Sequence, residues 1–343
     1  MKTKTKLEYI WLDGYSPQNI RSKIKIINSN GNLKLKDIPD WSFDGSSTKQ
    51  ALGNVSDCIL KPVRLYNNSF DAPDHWDSSY FVLCEVYKHH TNTRAKLRSY
   101  EVLLNRHDYW FGFEQEYFMY KDGKPLGWTD DMRSQGEYYC GVGTSNVAGR
   151  ALSEIHLNEC LDSDIGITGT NAEVALGQWE YQIFRDSALR ACDDLIVSRY
   201  ILQKEAEANG IDIELHPKPI EGDWNGSGCH VNFSTKEMRE GGGKKMFDNI
   251  CEQLELKHDK HMKVYGLYND KRLTGLHETQ SIDKFTYGVS DRGASIRIPI
   301  NVSRNDFKGY LEDRRPSSNL DPYLGTARIV NTLWHVFEHV PGV

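Results

Sequence analysis

Aromatic and apolar residues dominate the segment 109–120, where two glutamates interrupt them. Tryptophan, phenylalanine and tyrosine favour a pleated, half-buried strand, so the pattern predicts a strand here. Glu114 and Glu116 stand two positions apart, and side chains two apart on a strand share one face. Because neighbouring carboxylates repel each other and are costly to bury unpaired, we expect cationic groups over them. An isolated pair of this kind more often faces solvent on an edge strand.

The first ninety residues show short apolar stretches separated by turn residues. They predict strands at 7–12, 20–27, 58–65 and 80–87. The loop 41–47 carries Asp44 beside a glycine and two serines. The charged stretch 89–98 is typical of a linker, which predicts a domain boundary near residue 90 and two domains, 1–90 and 91–343.

Beyond residue 90 the chain mixes helical and strand-like periods. The patterns predict helices at 146–162, 186–208, 236–258 and 321–339, a strand pair within 170–184, a turn that leads into a strand at 224–234, and a strand at 294–300. In the last strand, Arg297 lies on the face opposite Ile296 and Ile298, and therefore points away from the core side. The elements do not follow a regular βαβ rhythm, so we predict an α+β fold and not a doubly wound one.

Composition narrows the class of protein. Of the 343 residues, 38% are hydrophobic and 26% charged, which is typical of a globular protein. A net charge of -6 predicts neither nucleic-acid binding nor attraction to an acidic membrane. The apolar runs are too short to span a bilayer, and the amino terminus lacks the apolar core of a signal peptide. Seven cysteines without a C-x-x-C pair predict reduced thiols, a cytoplasmic location and no zinc site.

Ionisable residues on probable strands and turns form a set that suits a hard metal ion. They are Glu114, Glu116, Glu173, Glu180, Glu278, Glu312 and His230. Carboxylate oxygens with a single imidazole favour Mg²⁺ or Mn²⁺ over zinc or copper. The alternative for His230 alone is a packed core histidine, which is the more common case.

Several arginines complement these carboxylates. They are Arg272, Arg292, Arg297, Arg314 and Arg315. Planar guanidinium groups bind phosphates and carboxylates bidentately. A solvated basic face is the alternative, and for Arg314 and Arg315 alone it is the favoured one. The sequence has no G-x-x-x-x-G-K-[ST] motif, which excludes a P-loop. Carboxylates for divalent ions together with arginines are what phosphoryl transfer requires.

Ten short motifs follow one another along the chain: WSFDGSS, WFGFEQEY, YYCGVG, GTNAEV, QWEYQI, PKPI, DWNGSGCHVNFS, RLTGLHET, ASIRIP and GYLEDRRPSSNLDPY. Together they resemble the glutamine synthetases of the eukaryotic-like (type II) class, and they cover nearly the whole chain. The resemblance implies a small β-grasp domain followed by a catalytic domain whose curved antiparallel sheet is flanked by helices. It also implies ATP-dependent ligation of ammonia to L-glutamate through γ-glutamyl phosphate, giving glutamine, ADP and phosphate.

The same resemblance implies a set of site residues. Glu116, Glu173 and Glu180 would hold one metal ion, and Glu114, His230 and Glu312 a second, with two or three Mg²⁺ or Mn²⁺ ions per site. ATP would contact Trp110, Glu114, Glu180, Asn232, Phe233, Ser234, Arg292, Arg297 and Tyr310. L-Glutamate and ammonium would contact Ser47, Tyr139, Asp223, Trp224, Arg272, Arg292 and Arg314.

Catalytic roles and partners are implied in the same way. Asp44 would bind ammonium and draw off its proton, Arg292 would grip glutamate and the transferring phosphoryl group, and Glu278 would shield the intermediate within a flap. Members of this family assemble as two stacked pentameric rings with active sites between subunits. We therefore expect a homodecamer in which Asp44 serves the site of a neighbouring subunit.

Two alternatives stand beside this interpretation. A relative that joins glutamate to a larger amine would show changes at Asp44, Ser47 or Tyr139, and none is changed. A catalytically inactive structural or regulatory homologue would have lost metal ligands, whereas all six predicted positions are filled. Two departures from the family pattern lie near the substrates: Phe184-Arg185 replaces a small glycine-containing pair, and Asp223 stands where asparagine is common.

Overall fold

Five strands near the amino terminus form the smaller of the two sheets. The computed structural model describes residues 3–29, 32–68, 70, 78–87, 89–129 and 135–337. The strands are β1 (Thr3–Leu12), β2 (Ile20–Ser29), β3 (Trp41–Asp44), β4 (Asp57–Asn67) and β5 (Ser78–Val86). They lie in the order β2-β1-β5-β4-β3, with β1 parallel to β5 and the other neighbours antiparallel.

This first sheet is buried on both faces. One face encloses its own apolar cluster, which includes Tyr9 and Trp11. The other face, with Ile10, packs into the core of the rest of the chain. The buried Glu8 on that second face accepts hydrogen bonds from Lys204, at 2.8 and 3.0 Å. A buried carboxylate is tolerated when it is paired in this way, so the contact ties the sheet to the larger part of the chain.

The rest of the described chain alternates helices and strands. The helices are α1 (Thr93–Arg98), α2 (Glu101–Arg106), α3 (Arg150–Asp162), α4 (Ala188–Ala208), α5 (Lys236–Glu240), α6 (Lys244–Leu256), α7 (His258–Met262), α8 (Ile300–Arg304) and α9 (Pro322–Phe337). The strands are β6 (Trp110–Lys121), β7 (Lys124–Pro125), β8 (Ile167–Ala172), β9 (Gln178–Arg185), β10 (Asp212–Glu214), β11 (Cys229–Ser234), β12 (Tyr287–Val289), β13 (Ile296–Ile298) and β14 (Leu311–Asp313). Short 3-10 helices occupy Leu35–Asp37, Gly45–Thr48 and Asn269–Lys271.

These nine strands form the second sheet, whose two faces differ sharply in polarity. The strand order is β12-β13-β14-β11-β6-β9-β8, with β7 and β10 paired to β6, and only β12 and β13 run parallel. One face buries Phe113, Tyr181 and Val231 in the main core, against α4 and the helices around it. The opposite face carries charged residues, because alternate side chains of each strand point to opposite sides.

The structure confirms the α+β class and several elements. The helix predicted at 186–208 is α4, which Ser187 caps by accepting a hydrogen bond from the backbone of Arg190 at 3.4 Å. The face predicted for Arg297 is confirmed, because Ile296 and Ile298 are buried on the other side of β13. All seven cysteines are free. No helix within the described ranges is long and apolar enough to cross a membrane.

Two predicted helix boundaries are wrong. The helix expected from residue 146 begins only at Arg150, after Gly149 at φ 87°. The single helix expected at 236–258 is broken into α5 and α6, because Gly242 and Gly243 take φ values of 57° and 93°. The segment 224–234 does lead into a strand as predicted, since β11 begins at Cys229. The carboxyl-terminal helix is described only to residue 337, so its predicted last two residues lie outside the described part.

Candidate active site

Strand register aligns the predicted metal ligands on the polar face of the second sheet. Glu116 on β6 lies directly opposite Glu180 on β9, and Glu114 lies opposite His230 on β11. Farther along the sheet, Glu312 on β14 lies opposite Arg297 on β13. Cross-strand neighbours have their Cβ atoms about 5 Å apart, so the register alone concentrates these charges in one place.

A cavity of about 530 Å³, which we call the acid cavity, opens over this row. Five predicted metal ligands border it: Glu114, Glu116, Glu173, Glu180 and His230. Potential ligand atoms of Glu114, Glu180 and His230 lie within 4.8 Å of one another. Glu312 reaches the group from the side, with Oε1 3.5 Å from Nδ1 of His230. The structure therefore brings all six predicted ligands together.

The electrostatics of the acid cavity favour a bound cation. Burial, followed by the charge of Glu116, raises the pKa of Glu173 to about 8. Burial and the charges of Glu114, Glu173 and Glu116 raise the pKa of Glu180 well above its usual value. Burial and the nearby Arg314 lower the pKa of His230 to about 3, so its imidazole is neutral. Crowded carboxylates with a neutral imidazole fit a hard divalent ion, which would relieve their repulsion.

Four of the predicted arginines border the acid cavity: Arg272, Arg292, Arg297 and Arg314. Two of them hold Glu312 from opposite sides, since Nη1 of Arg297 lies 2.7 Å from Oε2 and Nη1 of Arg314 lies 2.6 Å from Oε1. Nη2 of Arg272 lies 2.9 Å from Nε2 of His230. Three of the four guanidinium groups, those of Arg272, Arg297 and Arg314, are therefore held in place by protein contacts at the edge of the cavity.

The alternative of a solvated basic face is wrong for Arg314 and Arg315, because both are buried. Arg315 points to the opposite side of the sheet from Arg314 and pairs with Asp313 at 2.6 Å. Of these two neighbouring arginines, just after β14, Arg314 therefore borders the acid cavity and Arg315 does not.

A second cavity of about 460 Å³, which we call the aromatic cavity, continues along the same face of the sheet. Glu114 and Gln182 border both cavities. The ring of Phe184 meets that of Trp110 edge to face at 5.9 Å between centroids. The guanidinium carbon of Arg239 lies 3.8 Å from the centroid of the Trp110 ring. Flat aromatic and guanidinium surfaces of this kind suit a planar heterocycle.

The predicted ATP contacts divide between the two cavities. Trp110, Asn232, Ser234 and Tyr310 border the aromatic cavity. Phe233 also borders it, but its ring is buried in the core on the other side of β11, so only its main chain can face a ligand.

The sequence interpretation missed Gln182 and Arg239. Gln182 stands two residues after Glu180 on the same strand face, and it donates a hydrogen bond to that carboxylate. The period-2 rule could have found it. Arg239 is carried by the short helix α5, and no sequence pattern connects it with Trp110.

The residues implied for glutamate and ammonium are more dispersed. Tyr139, Glu278 and Arg292 border the acid cavity. Asp223 and Trp224 are not among the described residues that border it, although Asn225 and Gly226, which follow them, are. The Trp224 ring instead packs edge to face on Trp128, at 5.0 Å.

Asp44 and Ser47 lie elsewhere on the surface. Asp44 ends β3 and caps the following 3-10 helix, where Ser46 and Ser47 each donate a hydroxyl hydrogen bond to its carboxylate at 2.6 Å. These hydrogen bonds lower the pKa of Asp44 to about 2, so the carboxylate stays ionised. Neither residue is among the described residues that border the acid cavity of the same chain.

Comparison with known proteins places this geometry in a family. A family model described as the catalytic domain of glutamine synthetase matches residues 91–257. A glutamine synthetase from Bradyrhizobium diazoefficiens is 48% identical over 337 residues, which cover 96% of each chain. This chain belongs to the glutamine synthetase family.

Other members of the glutamine synthetase family are similar over comparable lengths. The enzyme of Schizosaccharomyces pombe is 46% identical, with 98% of this chain and 93% of the relative covered. The glutamine synthetase of Gallus gallus is 43% identical, with 95% and 90% covered. A solved glutamine synthetase from Plasmodium falciparum superposes with a TM-score of 0.77 at 18% identity, over 97% of this chain and 72% of that one. This likeness shows the fold, and the predicted glutamine synthetase architecture is confirmed.

Proposed function

We propose that this chain is a glutamine synthetase of the eukaryotic-like (type II) class. It joins ammonia to L-glutamate with hydrolysis of ATP, through γ-glutamyl phosphate, and releases glutamine, ADP and phosphate. The observation that carries the proposal is the continuity of the acid and aromatic cavities, which share Glu114 and Gln182 on one sheet face. A nucleotide that spans both would place its base among aromatic rings and its phosphates among arginines and carboxylates.

Two or three Mg²⁺ or Mn²⁺ ions fit the donor set. Glu116, Glu173 and Glu180 would hold one ion, and Glu114, His230 and Glu312 another, which matches the single group in which these residues lie. Such ions supply neutralisation and orientation of phosphate oxygens when bound.

The arginines account for binding of the two anionic substrates. A carboxylate is a poor acyl donor, so the γ-carboxylate of glutamate first attacks the terminal phosphorus of ATP. Arg272, Arg292 and Arg314 border the acid cavity and are proposed to hold glutamate and the transferring phosphoryl group, while Arg297 faces ATP. Guanidinium groups stabilise the charge that spreads over the transferring group.

Ammonia then displaces phosphate from the acyl phosphate. Ammonium predominates at neutral pH, so an anionic group must attract it and accept a proton. We assign that role to Asp44, assisted by Ser47 and by Tyr139, and we assign the exclusion of water to Glu278. Since Asp44 does not border the acid cavity of its own chain among the described residues, a neighbouring subunit is proposed to supply it, as in a decamer of two pentameric rings.

The remaining assignments follow from the sequence. We propose a division near residue 90 between the β-grasp and catalytic domains, and a cytoplasmic location consistent with seven free thiols. The inactive homologue is not favoured, because the full ligand set is present and assembled.

The direct test is a coupled assay on the purified oligomer with Mg²⁺. Phosphate release from ATP should require both glutamate and ammonium, and glutamine should form in equal amount. Phosphate release that is independent of either substrate, or no turnover with a confirmed oligomer, would contradict the proposal.

Metal affinity should rise with pH up to about pH 8. The pKa of Glu173 is raised to about 8, so this carboxyl carries a proton at neutral pH, and a metal ion must displace it. Below that pKa, each displaced proton makes the apparent affinity rise by about tenfold per pH unit. Calorimetry at pH 6.5, 7.5 and 8.5 in two buffers of different ionisation enthalpy measures both the affinity and the released protons. The variant E173Q should release fewer protons, whereas an affinity that does not change with pH would refute the assignment.

Removal of the Phe184 ring should weaken nucleotide binding selectively. In F184A the base would lose one aromatic wall, and stacking on a base is worth about 1–3 kcal/mol, so the KM for ATP and the Kd for ADP should rise about tenfold. The KM for glutamate and kcat should change little, because Phe184 borders only the aromatic cavity. F184Y keeps the ring and serves as the matched control. Equal losses for ATP and glutamate would instead indicate general damage to the sheet.

A further inference from the structure

Glu278 borders the acid cavity from an exposed stretch of chain. Glu173 borders the same cavity, and the charge of Glu278 adds to burial and to Glu116 in raising the pKa of Glu173. Within the part of the chain that the structure describes, no hydrogen bond or ion pair holds the Glu278 carboxylate itself. Its position must therefore be determined by the residues next to it.

The backbone at this point is conformationally disfavoured. His277 and Glu278 take φ values of 52° and 57°, so two consecutive non-glycine residues are left-handed. L-residues disfavour this region because Cβ crowds the carbonyl oxygen. Such a conformation persists only where surrounding contacts impose it.

The imidazole of His277 supplies contacts of this kind on two sides. Its side chain is 11% exposed, and Nε2 lies 3.4 Å from Oδ1 of Asp223. Nδ1 lies 3.1 Å from Oε1 of the Gln135 side chain. Both ring nitrogens thus face protein groups, and the ring bridges two loops that flank the acid cavity.

The Asp223 side chain is itself 85% exposed, but its loop is packed against the rest of the protein three residues farther on, at Gly226. The carbonyl of Gly226 accepts a hydrogen bond from Nε2 of Gln178 at 3.0 Å. A Cβ at Gly226 would lie 2.6 Å from the carbonyl oxygen of Pro217 and 2.9 Å from Cγ of Arg272, so this loop is packed without spare room. A ring in contact with this loop on one side and with Gln135 on the other restricts the residue that follows it.

We propose that His277 is a positioning residue that holds Glu278 over the acid cavity by bridging to Asp223 and Gln135. The inference deepens the proposed ligase function and rests on it. With Glu278 in place, water is kept from the acyl phosphate. Without it, a water oxygen attacks the γ-carbonyl carbon, the carbon–oxygen bond to phosphate breaks, and glutamate, phosphate and a proton are released. ATP is then consumed without glutamine being formed.

The ratio of glutamine formed to phosphate released tests this role. In the full-length H277A variant the ratio should fall from near one to about one half or below, as expected when a closing segment no longer excludes water. The KM for ATP should change little, because neither His277 nor Glu278 borders the aromatic cavity, where the base is proposed to bind. H277Q, whose amide can reach one of the two partners, should recover part of the coupling.

A double variant that changes both His277 and Glu278 distinguishes a positioning role of His277 from a general loss of structure. E278A should lower the ratio by itself, and adding H277A to E278A should lower it no further, since both changes act through one carboxylate. H216A is the matched control: His216 stacks on Tyr268 at 5.3 Å and is not among the described residues that border the acid cavity, so its ratio should stay near one.

Two results would overturn the inference: a wild-type ratio in both H277A and H277Q, or an equal further loss when H277A is added to E278A. Melting curves identify a variant that fails to fold, and H277Q then carries the same comparison. Failure of the proposed function is distinguishable, because the wild-type protein itself would then make no glutamine.

Discussion

The variant E180Q is expected to lose ligase activity by about 10³-fold, because the loss of about 4 kcal/mol of electrostatic stabilisation at the phosphoryl group corresponds to this factor. Glu180 lies opposite Glu116, and its ligand atoms cluster with those of Glu114 and His230. Burial and the neighbouring carboxylates raise its pKa well above the usual value, which favours the protonated form of this carboxyl in the metal-free protein. Glutamine resembles this protonated state in shape and charge, so E180Q should leave the metal-free fold almost as stable as the wild type.

Melting curves recorded with and without Mg²⁺ or Mn²⁺ distinguish a loss of metal binding from a loss of fold stability. A metal ion at about 100 times its Kd stabilises the folded state by about 2.7 kcal/mol, and E180Q should lose most of this gain while keeping its metal-free melting temperature. E154Q, which changes an exposed glutamate of α3, should retain both the gain and the activity. An E180Q protein that melts far below the wild type without metal would show that Glu180 is a structural residue.

The sequence alone predicts which way a site residue points when its orientation depends only on the alternation of side chains along one strand. Glu114 and Glu116 share a face because they stand two apart on β6, and Arg297 faces away from the core for the same reason. The helix α4 was predictable to within two residues, because Ser187 supplies a cap and Asn209-Gly210 ends it.

Register between strands could not be read from the sequence. That Glu116 lies opposite Glu180, and Glu114 opposite His230, depends on how β6, β9 and β11 pair, and no single strand encodes this pairing. The ordered motifs supplied the grouping through the family resemblance. Contacts between distant segments, such as Arg239 over Trp110 or His277 beside Asp223, had no local signal at all.

Two errors have a common physical origin in backbone geometry. The helices predicted at 146–162 and 236–258 both continue apolar spacing through glycines, and in both places glycine takes a positive φ that no helix contains. Apolar spacing reports which face is buried, whereas glycine decides whether the backbone can turn away. When helix boundaries are predicted from sequence, a glycine at such a position should therefore count for more than apolar periodicity.

Subunit exchange should restore activity to a mixture of two inactive variants, D44N and E180Q. Asp44 is fully ionised and exposed, and it is not among the described residues that border the acid cavity of its own chain. If a neighbouring subunit supplies it, a site needs Asp44 from one chain and Glu180 from another. Each variant alone should lose activity by at least about 100-fold, as expected for removal of a catalytic proton acceptor.

The mixed oligomers give a quantitative outcome. After dissociation and reassembly at equal concentrations, half of the chains carry Asp44 and half carry Glu180, so about a quarter of sites should be complete if sites form between subunits. Native mass measurement confirms that the subunits have mixed. The control D57N changes another exposed acid, directly opposite Asp44 on β4, and should be active by itself. If the mixed oligomers form and remain inactive, Asp44 acts within its own chain or not at all, since only a site shared between subunits can be completed by exchange.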